Sequence, residues 1–141
     1  MIDTDMLNAR LARLISTLSI LRSLAKTKRE ELLKDSIRLG AVKYYLLEAI
    51  QNCLDIGNHI IGSEGLEKPS RYSEVFEILA NHDIIPQPFA EELSKMAAFR
   101  NRIVHIYIDF DNSMLYDILE NNLNDFDRFA KSVHEFVKKS Q

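Results

Sequence analysis

Leu46-Leu47-Glu48-Ala49-Ile50-Gln51-Asn52-Cys53-Leu54-Asp55-Ile56-Gly57-Asn58-His59-Ile60-Ile61 is the stretch that decides the fold. Its apolar residues recur at steps of three and four, with no alternation and no proline, so it reads as a helix rather than a strand. Followed toward the N-terminus, the periodicity extends to about Thr27. Leu33, Ile37, Tyr44 and Leu47 form one apolar strip, and Leu32, Leu39, Leu46, Ile50, Leu54 and Ile61 form another. A helix this apolar on more than one side is central to a bundle or also lies at a subunit interface.

Working outward, Thr4 or Asp5 can cap a first helix carrying Leu7, Leu11, Leu14, Ile15, Leu18, Leu21 and Leu24. Lys26-Thr27-Lys28-Arg29 is then a short polar break or a solvated patch in a bent helix. Beyond Ile61, the glycines and proline of the segment 62–69 stop the long helix and turn the chain. Ser70 or Ser73 can open a short helix that ends near Asn81-His82-Asp83. Ile84-Ile85-Pro86-Gln87-Pro88 is a connector held by its isoleucines. A further helix starts near Pro88 or Phe89 and lines up Leu93, Met96, Phe99, Ile103 and Ile106. After the turn-like Asp109-Phe110-Asp111-Asn112-Ser113, a last helix runs from Leu115 to Lys139. The expected fold is therefore all-α: an antiparallel helical bundle of four long helices plus one short one, forming one domain over residues 1–141.

Composition narrows the function. The 141 residues carry a net charge of −3, which argues against a broadly basic surface that coats nucleic acid and leaves room only for a local site. One cysteine, Cys53, can form neither an internal disulfide nor a multi-cysteine zinc site, and it reads as a small core residue. The acidic start, Met1 to Asp5, lacks the pattern of a secretory signal, and no apolar run approaches the roughly 18 to 20 residues of a membrane span. The expected location is cytoplasmic, with no membrane contact.

One segment gathers chemistry on an otherwise apolar helix: Phe99-Arg100-Asn101-Arg102-Ile103-Val104-His105-Ile106-Tyr107. At about 100° per residue, Arg100 and Tyr107 point the same way, and Asn101 and His105 share the adjacent stripe. Arg100 and His105 stand about 140° apart, so a single ideal helix does not bring their heads together. Two copies meeting about a two-fold axis would pool arginines and histidines in one cleft. The residues suit RNA cleavage: His105 can take the 2′-hydroxyl proton or protonate the leaving 5′-oxygen, and Arg100 can stabilise charge gathering on the phosphate. Asn101 can orient His105 or bind phosphate, Tyr107 can position substrate, and Arg102 suits a rim contact to the RNA backbone. A bland reading stands beside this one, with His105 an interior hydrogen-bonded residue and Arg100 a solvated charge.

Asp55 follows Gln51 by one turn and precedes His59 by another. If this polar stripe faces the cleft, Asp55 can orient Arg100 or His105; otherwise it is ordinary surface. Asp55 and His59 lack the further ligands of a metal site, so no metal and no other cofactor is expected. His82 and His134 are not expected to be catalytic, and Tyr44, Tyr45 and Tyr72 are expected to serve packing rather than base stacking.

Arg100-Asn101-(three residues)-His105-Ile106-Tyr107 resembles the Arg-x4-His-x-Tyr motif of the HepT-like toxins of the HEPN superfamily. Residues 46–61 resemble that family's second helix, and Tyr72 to Leu79 with Ile84-Ile85-Pro86 resemble its short third helix and connector. The resemblance implies a metal-independent endoribonuclease toxin, acting on tRNA or mRNA as a homodimer with its paired motifs in an intersubunit cleft. It also implies a MntA-type nucleotidyltransferase antitoxin as partner, which can transfer AMP to Tyr107. Bulk and negative charge added there would disfavour an incoming RNA phosphate. The alternative is a non-catalytic helical binding module that supports a nucleotidyltransferase.

Overall fold

The computed structural model describes residues 2–104 and 111–140, so His105, Ile106 and Tyr107 lie outside the described residues. Within them the regular structure is entirely helical: α1 (Thr4–Leu24), α2 (Arg29–Lys34), α3 (Ser36–Ser63), α4 (Tyr72–Asn81), α5 (Gln87–Val104), α6 (Asn112–Asn121) and α7 (Leu123–Lys139). The all-α bundle expected from periodicity is present. Two of its expected long helices are each interrupted once.

The first interruption falls at Asp35, inside the helix expected from Thr27 to Ile61. Asp35 adopts an extended conformation, and its carboxylate accepts from the backbone N–H groups of Ile37 and Arg38, both at 3.1 Å. That cap starts α3 afresh and leaves α2 as a six-residue helix. The second falls at Asn122, which separates α6 from α7 while its side chain donates to Asp125 at 3.1 Å. The apolar period runs across both breaks, which hides them in the sequence. The cap of α1 is Asp3, whose side chain accepts from the Met6 N–H at 3.0 Å, rather than Thr4 or Asp5. The polar segment after Leu24 is a true break, closed by a bond from the Thr27 N–H to the Leu24 carbonyl.

The stop after α3 has a specific geometry. Gly65 takes φ +65°, and the Leu66 N–H reaches back to the Ile61 carbonyl at 2.9 Å. This left-handed closure satisfies carbonyls that the helix end would otherwise orphan. Asp83, with φ 59°, ends α4 in the same way through the Ile84 N–H and the Leu79 carbonyl.

Helix α3 is the hub, packing against each of the other six helices. Leu46, Leu54, Ile56 and Ile60 are wholly buried on it, each contributing about 1.5–3 kcal/mol through loss of apolar surface. Around it close Leu7, Leu14, Leu18 and Leu21 of α1, Phe76 and Leu79 of α4, Leu93 and Phe99 of α5, and Phe126, Phe129 and Val133 of α7. Cys53 lies in this core, where burial pushes its thiol pKa up. Helices α3 and α4 approach closely at Gly57, where a Cβ would stand 2.5 Å from Val75 Cγ1 of α4. Only glycine lets α4 sit at this distance.

The other expected apolar strip is open at two positions on α3, while Leu33 on α2 packs against the core and Leu47 is half-buried. Ile37 is 84% exposed and Tyr44 58% exposed, and Ile15 of α1 is 59% exposed. Among the described residues no helix is long and apolar enough to cross a membrane.

Candidate active site

Arg100 sits in the last turn-and-a-half of α5, half-buried beside the Phe99 anchor. Three side chains fix its guanidinium. Its Nε–H donates to Gln51 Oε1 at 3.0 Å, one Nη1–H donates to Asn101 Oδ1 at 3.2 Å, and the group lies over the Tyr72 ring, 4.7 Å from its centroid. Gln51 in turn donates through Nε2 to Asp55 Oδ1 at 2.9 Å, and Asp55 Oδ2 pairs with Arg10 Nη1 of α1 at 3.2 Å. A continuous polar chain thus runs from α1 through α3 to α5.

The direction of that chain follows from donor chemistry. An ionised carboxylate only accepts and a guanidinium only donates, so the Gln51 amide between them must turn its NH₂ to Asp55 and its carbonyl to Arg100. With Nε and one Nη1 hydrogen occupied, the remaining Nη1 and Nη2 hydrogens have no partner among the described residues and form the free edge of Arg100. That edge is an end-on fork of the kind that matches two phosphate oxygens.

Arg100 lines a cleft of about 590 Å³ together with Arg10, Arg13, Tyr44, Gln51 and Asp55 among others. Arg13 closes on Glu48, which also lines the cleft. Three guanidinium groups therefore face two carboxylates, which leaves local positive charge on a chain of net charge −3. This is the local site that the acidic composition requires of any RNA-binding role.

Asp55 does line the cleft, and it reaches Arg100 through Gln51 rather than directly. Asn101 is exposed and contacts Arg100. Arg102 is exposed and is not among the residues lining the Arg100 cleft. His105 and Tyr107 fall outside the described residues, so their angular relation to Arg100 rests on sequence spacing alone. His59 turns away from this chemistry, its Nε2 accepting from the Asp3 backbone N–H at 3.1 Å, which ties α3 to the start of α1. His82 ends α4 and pairs with Glu67, lowering that carboxyl's pKa together with a backbone hydrogen bond within Glu67 itself, the larger cause. His134 is exposed on α7.

Sequence reasoning missed Arg10 and Arg13, whose spacing on α1 looks like any solvated helix face. It also assigned Tyr72 and Tyr44 to packing. Tyr72 instead supports a guanidinium, and Tyr44 lies open on the cleft wall, its ring edge-on to Tyr45 at 5.1 Å.

A family model described as Ribonuclease HepT-like matches residues 14–133. The chain belongs to this family. Among its relatives, the mRNA nuclease HepT of Shewanella oneidensis is 31% identical over 102 residues, covering 72% of this chain and 73% of that protein. The tRNA nuclease HepT of Aphanizomenon flos-aquae is 25% identical over 93 residues, covering 65% and 63%. Of solved structures, a tri-AMPylated HEPN toxin of Shewanella oneidensis in complex with an MNT antitoxin superposes with a TM-score of 0.87. It is 23% identical, and the match spans 94% of this chain and 98% of that one. This HepT-like chain thus shares its helical fold with that toxin over 94% of its length, and the family match agrees with the HepT-like resemblance of the sequence.

Proposed function

We propose that this HepT-like chain is a metal-independent endoribonuclease toxin of a toxin–antitoxin system, acting in the cytoplasm. The observation that carries the reading is the Arg100 guanidinium, held by three side chains where Arg100 lines a cleft. Such preorganised cationic donors are what charge developing on a phosphate in the transition state requires. In the proposed reaction His105 removes the 2′-hydroxyl proton, and the oxygen attacks the adjacent phosphorus. The bond to the 5′-oxygen breaks, that oxygen takes a proton, and a 2′,3′-cyclic phosphate remains. Arg100 balances the added charge on the phosphate oxygens, with Asn101 and Asp55 supporting it and Arg102 on the rim.

The chain is proposed to act as a homodimer. The open apolar strip of Ile37 and Tyr44 runs into the cleft, which Tyr44 and Leu47 help to line. A second copy seated on the strip would therefore bring its own motif to the same place. The named relatives act on different RNAs, one on mRNA and one on tRNA, so either is a candidate substrate class. By analogy with the AMPylated toxin and its MNT antitoxin, the proposed restraint is a MntA-type nucleotidyltransferase that AMPylates Tyr107.

Purified protein assayed on tRNA and mRNA in excess chelator tests the reading. Cleavage is expected in the wild type, with losses of at least about 100-fold in His105→Ala and in Arg100→Ala. Intact activity in His105→Ala removes the assignment of that residue. No cleavage of any RNA by the wild type favours the binding-module alternative. Mass mapping after incubation with ATP and the partner nucleotidyltransferase is expected to place AMP on Tyr107.

A further inference from the structure

Beside the Arg100 cleft lies a second hollow that the proposed chemical steps do not use. It has a volume of about 380 Å³ and is lined by Asn58, Asn101, Tyr72, Val75 and the segment Pro69-Ser70-Arg71. That size is within the ~300–1,000 Å³ of small-molecule sites. The two hollows share a wall, because Arg100 lines the larger one while stacking on Tyr72 and donating to Asn101, both of which line the smaller.

The lining suits a nucleobase better than a second phosphate. The one cationic side chain, Arg71, is already paired with Glu74 at 3.2 Å, and Glu74 also holds the Ser70 N–H and hydroxyl. What remains is a partly exposed tyrosine ring, the apolar surface of Pro69 over the buried Val75, and two side-chain amides. Unpaired RNA bases are held in this way, stacked on an aromatic face and hydrogen-bonded along their edges. Asn101 turns its carbonyl to Arg100, so its NH₂ is left to donate elsewhere. Asn58 is exposed and has no side-chain hydrogen-bond partner among the described residues, so its amide can present a donor or an acceptor.

We infer that this hollow is a nucleobase subsite. An RNA phosphate on the free edge of Arg100 places the adjoining base against Tyr72, with its polar edge on the amides of Asn58 and Asn101. The identity of the ligand as RNA rests on the ribonuclease reading, whereas the recognition of a base rests on the hollow itself.

Titration of the ¹⁵N-labelled protein with uridine and adenosine 5′-monophosphates, against ribose 5-phosphate as control, tests this directly. The nucleotides are expected to shift the side-chain amide signals of Asn58 and Asn101, and ribose 5-phosphate is not. Asn58→Leu is expected to weaken nucleotide binding roughly tenfold, the scale of one lost base contact, without altering thermal stability. Asn58→Ala serves the same purpose should the leucine variant misfold. Equal shifts with ribose 5-phosphate, or no shift with any nucleotide, overturn the subsite. RNA cleavage separates the two readings. Wild-type cleavage that is unchanged in Asn58→Leu removes the subsite and leaves the ribonuclease. Nucleotide binding at Asn58 without cleavage of any RNA keeps the subsite and removes the ribonuclease.

Discussion

The Nε–H of Arg100 is held at 3.0 Å by the side-chain carbonyl of Gln51, a residue 49 positions away whose own orientation is set by Asp55. On the proposed function, the bond decides which edge of the guanidinium is left for substrate, which makes Gln51 a positioning residue for Arg100. Gln51→Glu would face two carboxylates across a 2.9 Å contact and pull the chain apart, and a misplacement of about 1 Å at such a site can cost 100-fold in rate. A drop in kcat of roughly 10- to 100-fold is expected. Adding Asp55→Asn restores a donor at position 55 for the new carboxylate, with a carbonyl left for Arg10. The double variant is expected to recover to within about threefold in RNA cleavage assays, on the usual non-additivity of contacting residues. A double variant as impaired as the single one would show that Gln51 acts otherwise.

Tyr72 supports the same guanidinium from below. At a partly exposed site a cation–π contact is worth about 0.5–1 kcal/mol, so Tyr72→Leu should lower kcat/KM by a few-fold while Tyr72→Phe keeps it. Circular dichroism should show both variants folded. Equal loss in the phenylalanine variant would move the role from the ring to the hydroxyl.

The position of Tyr72 depends on how closely α4 rests on α3. At Gly57 an added methyl would meet Val75 Cγ1 at 2.5 Å, and Val75 is a buried, branched side chain with little room to yield. Gly57→Ala is expected to destabilise by about 1–3 kcal/mol, read as a lower midpoint in thermal or urea denaturation. Val75→Ala vacates that space, so the double variant should lose clearly less than the sum of the singles. Additive losses would contradict the close approach.

Much of this was legible in the residue order, and the remainder shares a physical cause. Period alone places α1, α4 and the start of α5 to within a turn, because each buries one stripe, whereas α3 and α7 were read as parts of longer helices. Asp35 was missed because a capping side chain and a solvated polar residue look alike in sequence, and Asn122, which makes no side-chain cap, carries no signal at all. Gln51 and Asp55, four residues apart on α3, were visible as a pair. Their target on α5 was only one alternative, Arg100 or His105 if the stripe faced the cleft, since nothing local encodes contact across 49 residues. Arg10 and Arg13 reach the cleft only because α1 packs on α3.

The start of α4 carries an acid sensitivity. Glu74 accepts from the Ser70 N–H, the Ser70 hydroxyl and Arg71, in that order of weight, and these bonds hold its pKa below the usual carboxylate value. A carboxyl with a depressed folded pKa contributes stability that is complete above its unfolded pKa and is lost as pH falls through the lower folded value. Acidification below the ordinary glutamate range, about pH 4.3, should therefore loosen the segment around Ser70 and Tyr72 before the core. Amide exchange there is expected to rise on acidification, after correction for the intrinsic rate, and Glu74→Gln should flatten that dependence. An unchanged profile in the variant would assign the sensitivity to another carboxyl.

The open strip on α3 makes the last prediction. Ile37 and Tyr44 lie seven residues apart and so point the same way, and both are more exposed than large apolar groups on a monomer usually are. Covering them with a second copy offsets the cost of their hydration and closes the cleft that Tyr44 borders. Sedimentation should find the wild type dimeric. Ile37→Glu combined with Tyr44→Glu should shift it to monomer, because a buried unpaired charge is costly at an interface. If cleavage needs motifs from two chains, this folded monomer should lose RNA cleavage although Arg100 and His105 are intact. Full activity in the monomer would place a complete site within one chain.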